Sequence, residues 1–343
     1  YNKIGHFQVR MEVRMERIGV AVVGLGYAGR QHLDAYLKNP AVEVKMVCDT
    51  PAACEKIPMS GHFRCVADLK EVIESDDVAL VSICTPDYLH CEQALAAINA
   101  GKHVFCEKPL ATSIPECERI VDAVGRKGVK FLTGQVLRFA PFFISLKKIC
   151  NSDLIGRVFF AESDYIHDLR PFLHGWRANP ATAGDITVGG GCHSVDLLRW
   201  IVGDVEEVYA TGNKLSATVS PFPVDNVIMT LKFADGAIGK VQITVGCRRP
   251  YALNLSIYGT KGTIINDRMF TEQIDGLEDF ITLPLAKKSE FQYYDREIDA
   301  LITSILNNSE TPVPAIDGAK TVAVCIAGIE AMKTNRPVRV HSF

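Results

Sequence analysis

Residues 17–29, RIGVAVVGLGYAG, run an apolar strand straight into the spacing Gly24-x-Gly26-x-x-Gly29, and that junction constrains the fold more than any other stretch of the chain. Gly24 permits a tight turn, Gly26 lets backbone N–H groups approach a pyrophosphate, and Gly29 lets the following helix pack closely on the strand. The helix N-terminus, with Tyr27 and Ala28 in its first turn, then offers the positive end of its dipole to the phosphates. A chain holding 26 glycines produces such spacings by chance, so the surroundings decide. An apolar run precedes the turn, a helix-compatible stretch at 28–39 ends at Pro40, and a second strand at 42–48 delivers Asp49 where a ribose-binding carboxylate belongs. A carboxylate there accepts hydrogen bonds from both ribose hydroxyls and repels a 2′-phosphate. No basic residue follows until Lys56, so NAD is expected in preference to NADP.

With 343 residues, 48% of them hydrophobic, the chain has apolar material for two domains or one large one, and the dinucleotide pattern favours two. A formal charge of −3 offers no broad attraction to nucleic acid or to an anionic membrane, which leaves small-molecule chemistry. No apolar run reaches the length of a membrane span. Residues 1–15 are charged and mixed rather than signal-like, with Met11 and Met15 just before the first strand, and are expected to form an arm outside the fold. The 11 cysteines are scattered without a CxxC pair. They read as small buried apolar residues of a reducing, cytoplasmic protein, not as a disulfide framework, and no zinc or other metal constellation is present.

From residue 17 to 133, short β-branched runs alternate with helical periodicity, the signature of a parallel sheet covered on both faces. Strands are expected at 63–66, 78–84, 102–106 and 129–133. Capping-box spacings at Asp68 with Glu71 and Ser113 with Glu116 open two of the helices, and Gly101 stops another. Beyond about residue 137 the pattern becomes a series of long strands, at 157–167, 205–214, 226–233, 238–245 and 252–259. Asp235-Gly236 turns the middle pair into an antiparallel hairpin. Helices are expected at 192–202, 294–307 and 318–334. The reading is a Rossmann domain over residues 16–136, then an α+β domain over 137–343 with an open, mostly antiparallel sheet. One sheet face must cover helices, and Ile228 and Tyr258 hint that the other is partly apolar, which implies a homo-oligomer, dimer or tetramer, formed through it.

In doubly wound sheets the ligand lies across the carboxyl ends of the strands. Cys84-Thr85-Pro86 with His90 follow the fourth strand, Glu107-Lys108-Pro109 the fifth, and Gln135 with Arg138-Phe139 the sixth. Together with GLGYAG at 24–29, CTPDYLH at 84–90, CEKPLA at 106–111, GQVLRFAP at 134–141 and HSVDLLRWIVG at 193–203, these ends make the chain resemble the glucose-fructose oxidoreductase and inositol dehydrogenase family, Gfo/Idh/MocA, over nearly all of its length from residue 17. The resemblance implies that Thr85, Pro86 and His90 line the ribose and nicotinamide side of the cofactor, that Glu107 and Lys108 sit under the nicotinamide, and that Gln135 borders it. It also implies a sugar, inositol or related polyol as substrate.

A lysine in that place has a physical reason. Oxidising an alcohol by hydride transfer to a cationic nicotinamide requires the hydroxyl proton to leave, and a lysine beside that cation has its ammonium form disfavoured. His193 opens a helix, so its ring stands at the positive end of the dipole, which keeps imidazole neutral and able to accept a proton. A histidine there can also merely cap or pack the helix start, but the family resemblance implies the acid/base role, so Lys108 and His193 are the expected catalytic pair. Asp196, one turn on, either orients that helix or ring or compensates the dipole. Tyr165, His167, Trp176 and Arg177 border the expected cleft with hydrogen-bonding groups and flat apolar surface suited to a polyol. Arg138 is either a substrate or cofactor contact or an interdomain salt-bridge partner.

The chain departs from the family pattern at one place. Family dehydrogenases carry an aspartate four residues before this histidine, where this sequence has Gly189, so His193 and Lys108 suffice or another carboxylate, Asp164, Asp168 or Asp185, substitutes. Two other readings accompany the dehydrogenase: an enzyme that retains NAD and cleaves a glycosidic bond by transient oxidation, and a non-enzymatic dinucleotide-binding sensor.

Overall fold

The computed structural model describes residues 17–56, 62–216, 221–285 and 293–343, so the arm expected at residues 1–15 lies outside the described residues. Its first sheet is built from β1 (Ile18–Val23), α1 (Tyr27–Lys38), β2 (Val42–Cys48), α2 (Pro51–Cys54), β3 (Arg64–Val66), α3 (Leu69–Glu74), β4 (Leu80–Ile83), α4 (His90–Asn99), β5 (His103–Glu107), α5 (Ile114–Lys127) and β6 (Phe131–Gly134). The six strands run parallel in the order 3-2-1-4-5-6. Every residue of β1, β4 and β6 is buried, as strands covered on both faces require. The order reverses between β1 and β4, which opens the ligand crevice beside Gly24 and Cys84.

The capping spacings are honoured unevenly. Asp68 caps α3 by accepting from Lys70 N, but Ser113 makes no side-chain cap on α5; Glu116 folds back instead to accept from Thr112 N and Oγ1. Gly128, at φ +65°, ends α5 in the left-handed conformation that glycine adopts without cost. Cys54 and Cys65 form a disulfide between α2 and β3, which corrects the expectation of thiols throughout, while the other cysteines are free.

The second unit begins with a helix rather than a strand. Pro141 sits in the first turn of α6 (Pro141–Cys150), and Phe142, Phe143 and Leu146 fall on one buried side. Then follow β7 (Val158–Ile166), α7 (Ile186–Gly189), α8 (Cys192–Val202), β8 (Val205–Asn213), β9 (Asn226–Phe233), β10 (Ile238–Thr244), β11 (Ala252–Gly259), β12 (Gly262–Ile265), β13 (Arg268–Thr271), β14 (Ile281–Thr282), α9 (Tyr294–Leu306), α10 (Ala315–Thr334) and β15 (Val338–Arg339). Nine strands make a mixed sheet ordered 14-13-12-11-7-10-9-8-15, antiparallel except where β10 runs parallel to β7. The expected hairpin is β9–β10, with Gly236 at φ +90°.

Alternation along β9 buries Val227, Met229, Leu231 and Phe233 and exposes Ile228. The covered face packs on α8 and α10. On the open face Phe160, Tyr258 and Ile238 cluster beside a polar strip in which Lys240 pairs with Glu162 and Asp164. α9 and α10 return to the first unit, α9 against α1 and α10 against α5 and β6. No helix among the described residues is long and apolar enough to cross a membrane.

Candidate active site

The glycine turn is shaped for a close ligand. Gly24 holds φ +89°, and a Cβ there would stand 2.7 Å from the Cys84 carbonyl oxygen; one on Gly29 would stand 1.8 Å from that of Gly24. These two glycines fix chain against chain. A Cβ on Gly26 would meet nothing within 4 Å, so the middle glycine faces open space, as a backbone that receives a pyrophosphate should. Asp49, at the end of β2, accepts from Leu25 N at 2.6 Å and Thr50 N at 2.6 Å, which ties the carboxylate to the glycine turn. Tyr27 is exposed beside it. The observed cradle thus fits a dinucleotide.

The loops after β4 and β5 are strapped together by His90, whose Nδ1 lies 2.7 Å from the Pro109 carbonyl oxygen and Nε2 3.0 Å from that of Thr85. The ring is fully buried, so it shapes the loop carrying Thr85 and Pro86 rather than reaching out of it. Thr85 Oγ1 donates to Gln93 Oε1 at 2.6 Å. Gln135 is buried at the end of β6.

Glu107 turns inward. Its Oε2 accepts from Lys108 N at 3.1 Å, and its Oε1 lies 3.1 Å from Nε2 of His32, whose Nδ1 is 2.9 Å from Ser82 Oγ. Burial opposes ionisation of Glu107, but the hydrogen bond and charge of His32 and the charge of Lys108 outweigh it and bring its pKa below the ordinary value. Glu297, from α9, completes the cluster, with one donor atom each of His32, Glu107 and Glu297 within 4.8 Å of one another. Glu297 is fully buried with neither oxygen hydrogen-bonded, and burial first, then the Glu107 and Asp295 charges, push its pKa well above the usual range. Sequence reasoning missed His32 and Glu297. His32 follows Gly29 by less than a helical turn, which placed it near the site, but nothing local in the sequence pairs it with α9.

Lys108 Nζ crosses the cleft and donates to the Gly189 carbonyl at 3.0 Å, where α7 ends. His193 stands in the first turn of α8, half-buried as a residue, with a buried Nδ1 that lacks a hydrogen-bond partner. Burial, then the charges of Lys108 and His167, push its pKa well below the ordinary imidazole value, so the ring is neutral near pH 7. Tyr165, on the covered face of β7, stacks on His193 with ring centroids 5.9 Å apart, and its hydroxyl is 3.1 Å from His167 Nδ1. Tyr251 packs edge-on against both Tyr165 and His167 and is a further aromatic wall that the sequence did not single out. Trp176 lies beside Tyr88 and under the Arg177 guanidinium, 4.2 Å from the ring centroid, and Arg177 is exposed.

Arg138 is a salt-bridge partner. Its Nε and Nη2 donate to the two oxygens of Asp196 at 2.8 and 2.7 Å, and Nη1 to Asp317. With its donors taken up by carboxylates on α8 and α10, it is not available to substrate, and Asp196 is committed to it rather than to the His193 ring. A cavity of about 440 Å³ lies away from these groups among Arg199, Asp204, Arg339 and His341; another, of about 210 Å³, is lined by Asp87, Thr112, Asp185 and Gly189 at the cleft.

Both domains of one oxidoreductase family match along the chain. Residues 18–135 match the oxidoreductase family with an NAD-binding Rossmann fold, and residues 147–340 match that family's C-terminal alpha/beta domain. The chain is 30% identical to levoglucosan dehydrogenase of Pseudarthrobacter phenanthrenivorans over 73% of its own length and 74% of that protein. It is 27% identical to myo-inositol 2-dehydrogenase of Thermotoga maritima over 92% of this chain and 95% of the relative. Among solved structures, levoglucosan dehydrogenase in complex with NADH superposes with a TM-score of 0.86 at 23% identity, covering 95% of this chain and all of the other, a likeness of fold.

Proposed function

The chain belongs to the GFO_IDH_MocA oxidoreductase family and is an NAD-binding dehydrogenase, and from that premise we propose that it moves a hydride between a secondary alcohol of a sugar, inositol or related polyol and NAD, with Lys108 and His193 handling the hydroxyl proton. The observation that carries this reading is the convergence of a lysine from the first unit and a neutral, unpartnered histidine from the second on one cleft. Gly24, Gly26, Gly29 and Asp49, with Thr85, Pro86 and Gln135, would hold the coenzyme, which would supply the hydride acceptor or donor. Lys108 Nζ, already oriented by the Gly189 carbonyl, hydrogen-bonds the reacting oxygen. His193, kept neutral by burial, takes its proton in oxidation and returns it in reduction. Tyr165, His167, Trp176 and Arg177 line the polyol side, where hydroxyls need partners and a C–H face needs an aromatic surface. The named substrates of the two relatives, levoglucosan and myo-inositol, support this class.

Asp49 favours NAD over NADP, because its fixed carboxylate repels a 2′-phosphate. The division near residue 136 separates coenzyme from substrate duties, and the Phe160–Tyr258–Ile238 patch on the open sheet face joins subunits of a homo-oligomer; a monomeric mass by light scattering would remove that last assignment. Nine free thiols against one disulfide support a reducing, cytoplasmic location.

The decisive test is a screen of sugars and polyols with each coenzyme, read at the NADH absorbance band, on the wild type and Lys108→Ala. The expected result is NAD-linked turnover that Lys108→Ala lowers by about 100-fold or more while NADH binding persists. Turnover that survives in the variant would remove Lys108 from the mechanism, and release of free sugar from a glycoside without net NADH would favour elimination chemistry.

A further inference from the structure

Three glycines in a row precede Cys192, and they are not equivalent. A Cβ on Gly190 would lie 2.8 Å from the Tyr165 ring, and one on Gly191 would lie 2.2 Å from the Ile243 side chain, so packing excludes side chains at both. Gly189 is different. A Cβ there would meet within 4 Å only one atom, Asp87 Oδ2, at 3.5 Å, an ordinary contact, and its backbone does not need the left-handed region. Sterics therefore leave room for a side chain at Gly189, and a carboxylate from the loop after β4 stands at the edge of that room.

The other nearby acids are engaged elsewhere. Asp164 is one residue from Tyr165 on β7, hence on the opposite sheet face, where Lys240 and Asn254 hold it. Asp168 is paired with Arg170, Asp185 caps α7 through Thr187 N at 2.8 Å, and Asp196 is bound by Arg138. The charges of Asp87 and Lys108 also both act on the buried Cys192 sulfur. The Cys192 thiol is pushed up to about 12 by burial, with Lys108 pulling it down and Asp87 adding to the push.

We propose that Asp87 is the carboxylate of this active site, a positioning residue that reaches across from the first unit into the side-chain space left open at Gly189 and holds the Lys108 ammonium that hangs from the Gly189 carbonyl. This rests on the dehydrogenase reading above and extends it. The glycine then has a reason: a second carboxylate at 189 would stand against Asp87, and like charges in a poorly solvated cleft repel.

The experiment is a double-variant cycle of Asp87→Asn, Gly189→Asp and both together. Each protein is assayed for kcat and KM on the substrate found by the screen, for NADH binding, and for the rate of reductive methylation of Lys108 followed by peptide mass spectrometry. Asp87→Asn is expected to lower kcat by about tenfold to a hundredfold with NADH affinity unchanged, and to raise the labelling rate of Lys108 severalfold. Gly189→Asp alone is also impaired, and the double variant, with one carboxylate restored from the other side, recovers most of the lost rate and the original labelling. Wild-type labelling of Lys108 in Asp87→Asn, or a folded, NADH-binding double variant no better than Asp87→Asn, would overturn the proposal. The labelling arm needs no substrate, so a wild type inert to every sugar and polyol would count against the dehydrogenase reading while the cycle still decides on Asp87.

Discussion

Among the described residues, two clusters of charge, one reaching from the interior to the surface and one buried, are built to opposite rules. In the first, Arg138 and Arg199 face Asp196, Asp317 and Asp204. Arg138 grips Asp196 with two donors, Arg199 donates to Asp317 at 3.0 Å, Asp204 at 2.8 Å and Thr321 at 2.8 Å, and Thr321 donates in turn to Asp196 at 3.0 Å. Burial disfavours the Arg138 charge, but Asp196 and Asp317 more than reverse this and raise its pKa. In the second, one imidazole faces two carboxylates, and Glu297 has no hydrogen-bond partner. A satisfied network is a clamp, and here it joins the segment after β6 to α8 and α10. An unsatisfied one is adjustable, and it lies directly beneath the peptide that carries Lys108.

The sharpest way to break this contrast is at Arg138. Arg138→Ala leaves Asp196 buried without its main partner, and removing one member of a buried pair typically costs about 3–5 kcal/mol. For a chain of this size the melting temperature should fall by roughly 4–7 °C. Arg138→Met with Asp196→Leu removes charge from both sides and should recover much of that loss, since an apolar pair of similar volume does not strand an ion. Thermal unfolding of the three proteins checks this. If the single variant melts within a degree or two of the wild type, the first cluster is not a clamp.

What the sequence disclosed follows the same division between local and long-range chemistry. The glycine turn, Asp49, the strand ends at Lys108 and the helix opened by His193 were legible because each is set by neighbours a few residues away. The hairpin at Asp235-Gly236 was legible for the same reason. Pro141 and the 142, 143, 146 spacing signal the helix α6, yet the change of period near residue 137 reads as a switch to strands and masks it. The short strands β12 to β15 carry too few residues for alternation to register. Arg138 with Asp317, His32 with Glu297, and Gly189 with Asp87 stood out of reach, since each partner arrives from a distant element and only packing brings them together. Asp164 illustrates the limit: its sequence position beside Tyr165 suggested the cleft, while the two-residue period of β7 sends it to the other face. The Cys54–Cys65 disulfide was likewise a tertiary fact, with α2 and β3 laid side by side.

The smaller expected effect, at Glu297, sharpens the contrast by testing whether the second cluster holds a proton where the first holds ion pairs. Because the folded pKa of Glu297 is raised, its contribution to stability is fully present below the ordinary carboxylate value of about 4.3 and is lost as pH rises through the folded value. Burial sets this first, then the charges of Glu107 on β5 and Asp295 on the same helix, while the fully buried His32 on α1 faces the same pair of carboxylates. Glu297→Gln keeps the shape and removes the titration, so its melting temperature relative to the wild type should rise between pH 5 and pH 9, by a few degrees at most. At the acid end the two proteins should coincide, because there both side chains are neutral. A pH-independent difference between them would mean that Glu297 binds no extra proton on folding, and the two clusters would then obey one rule rather than two.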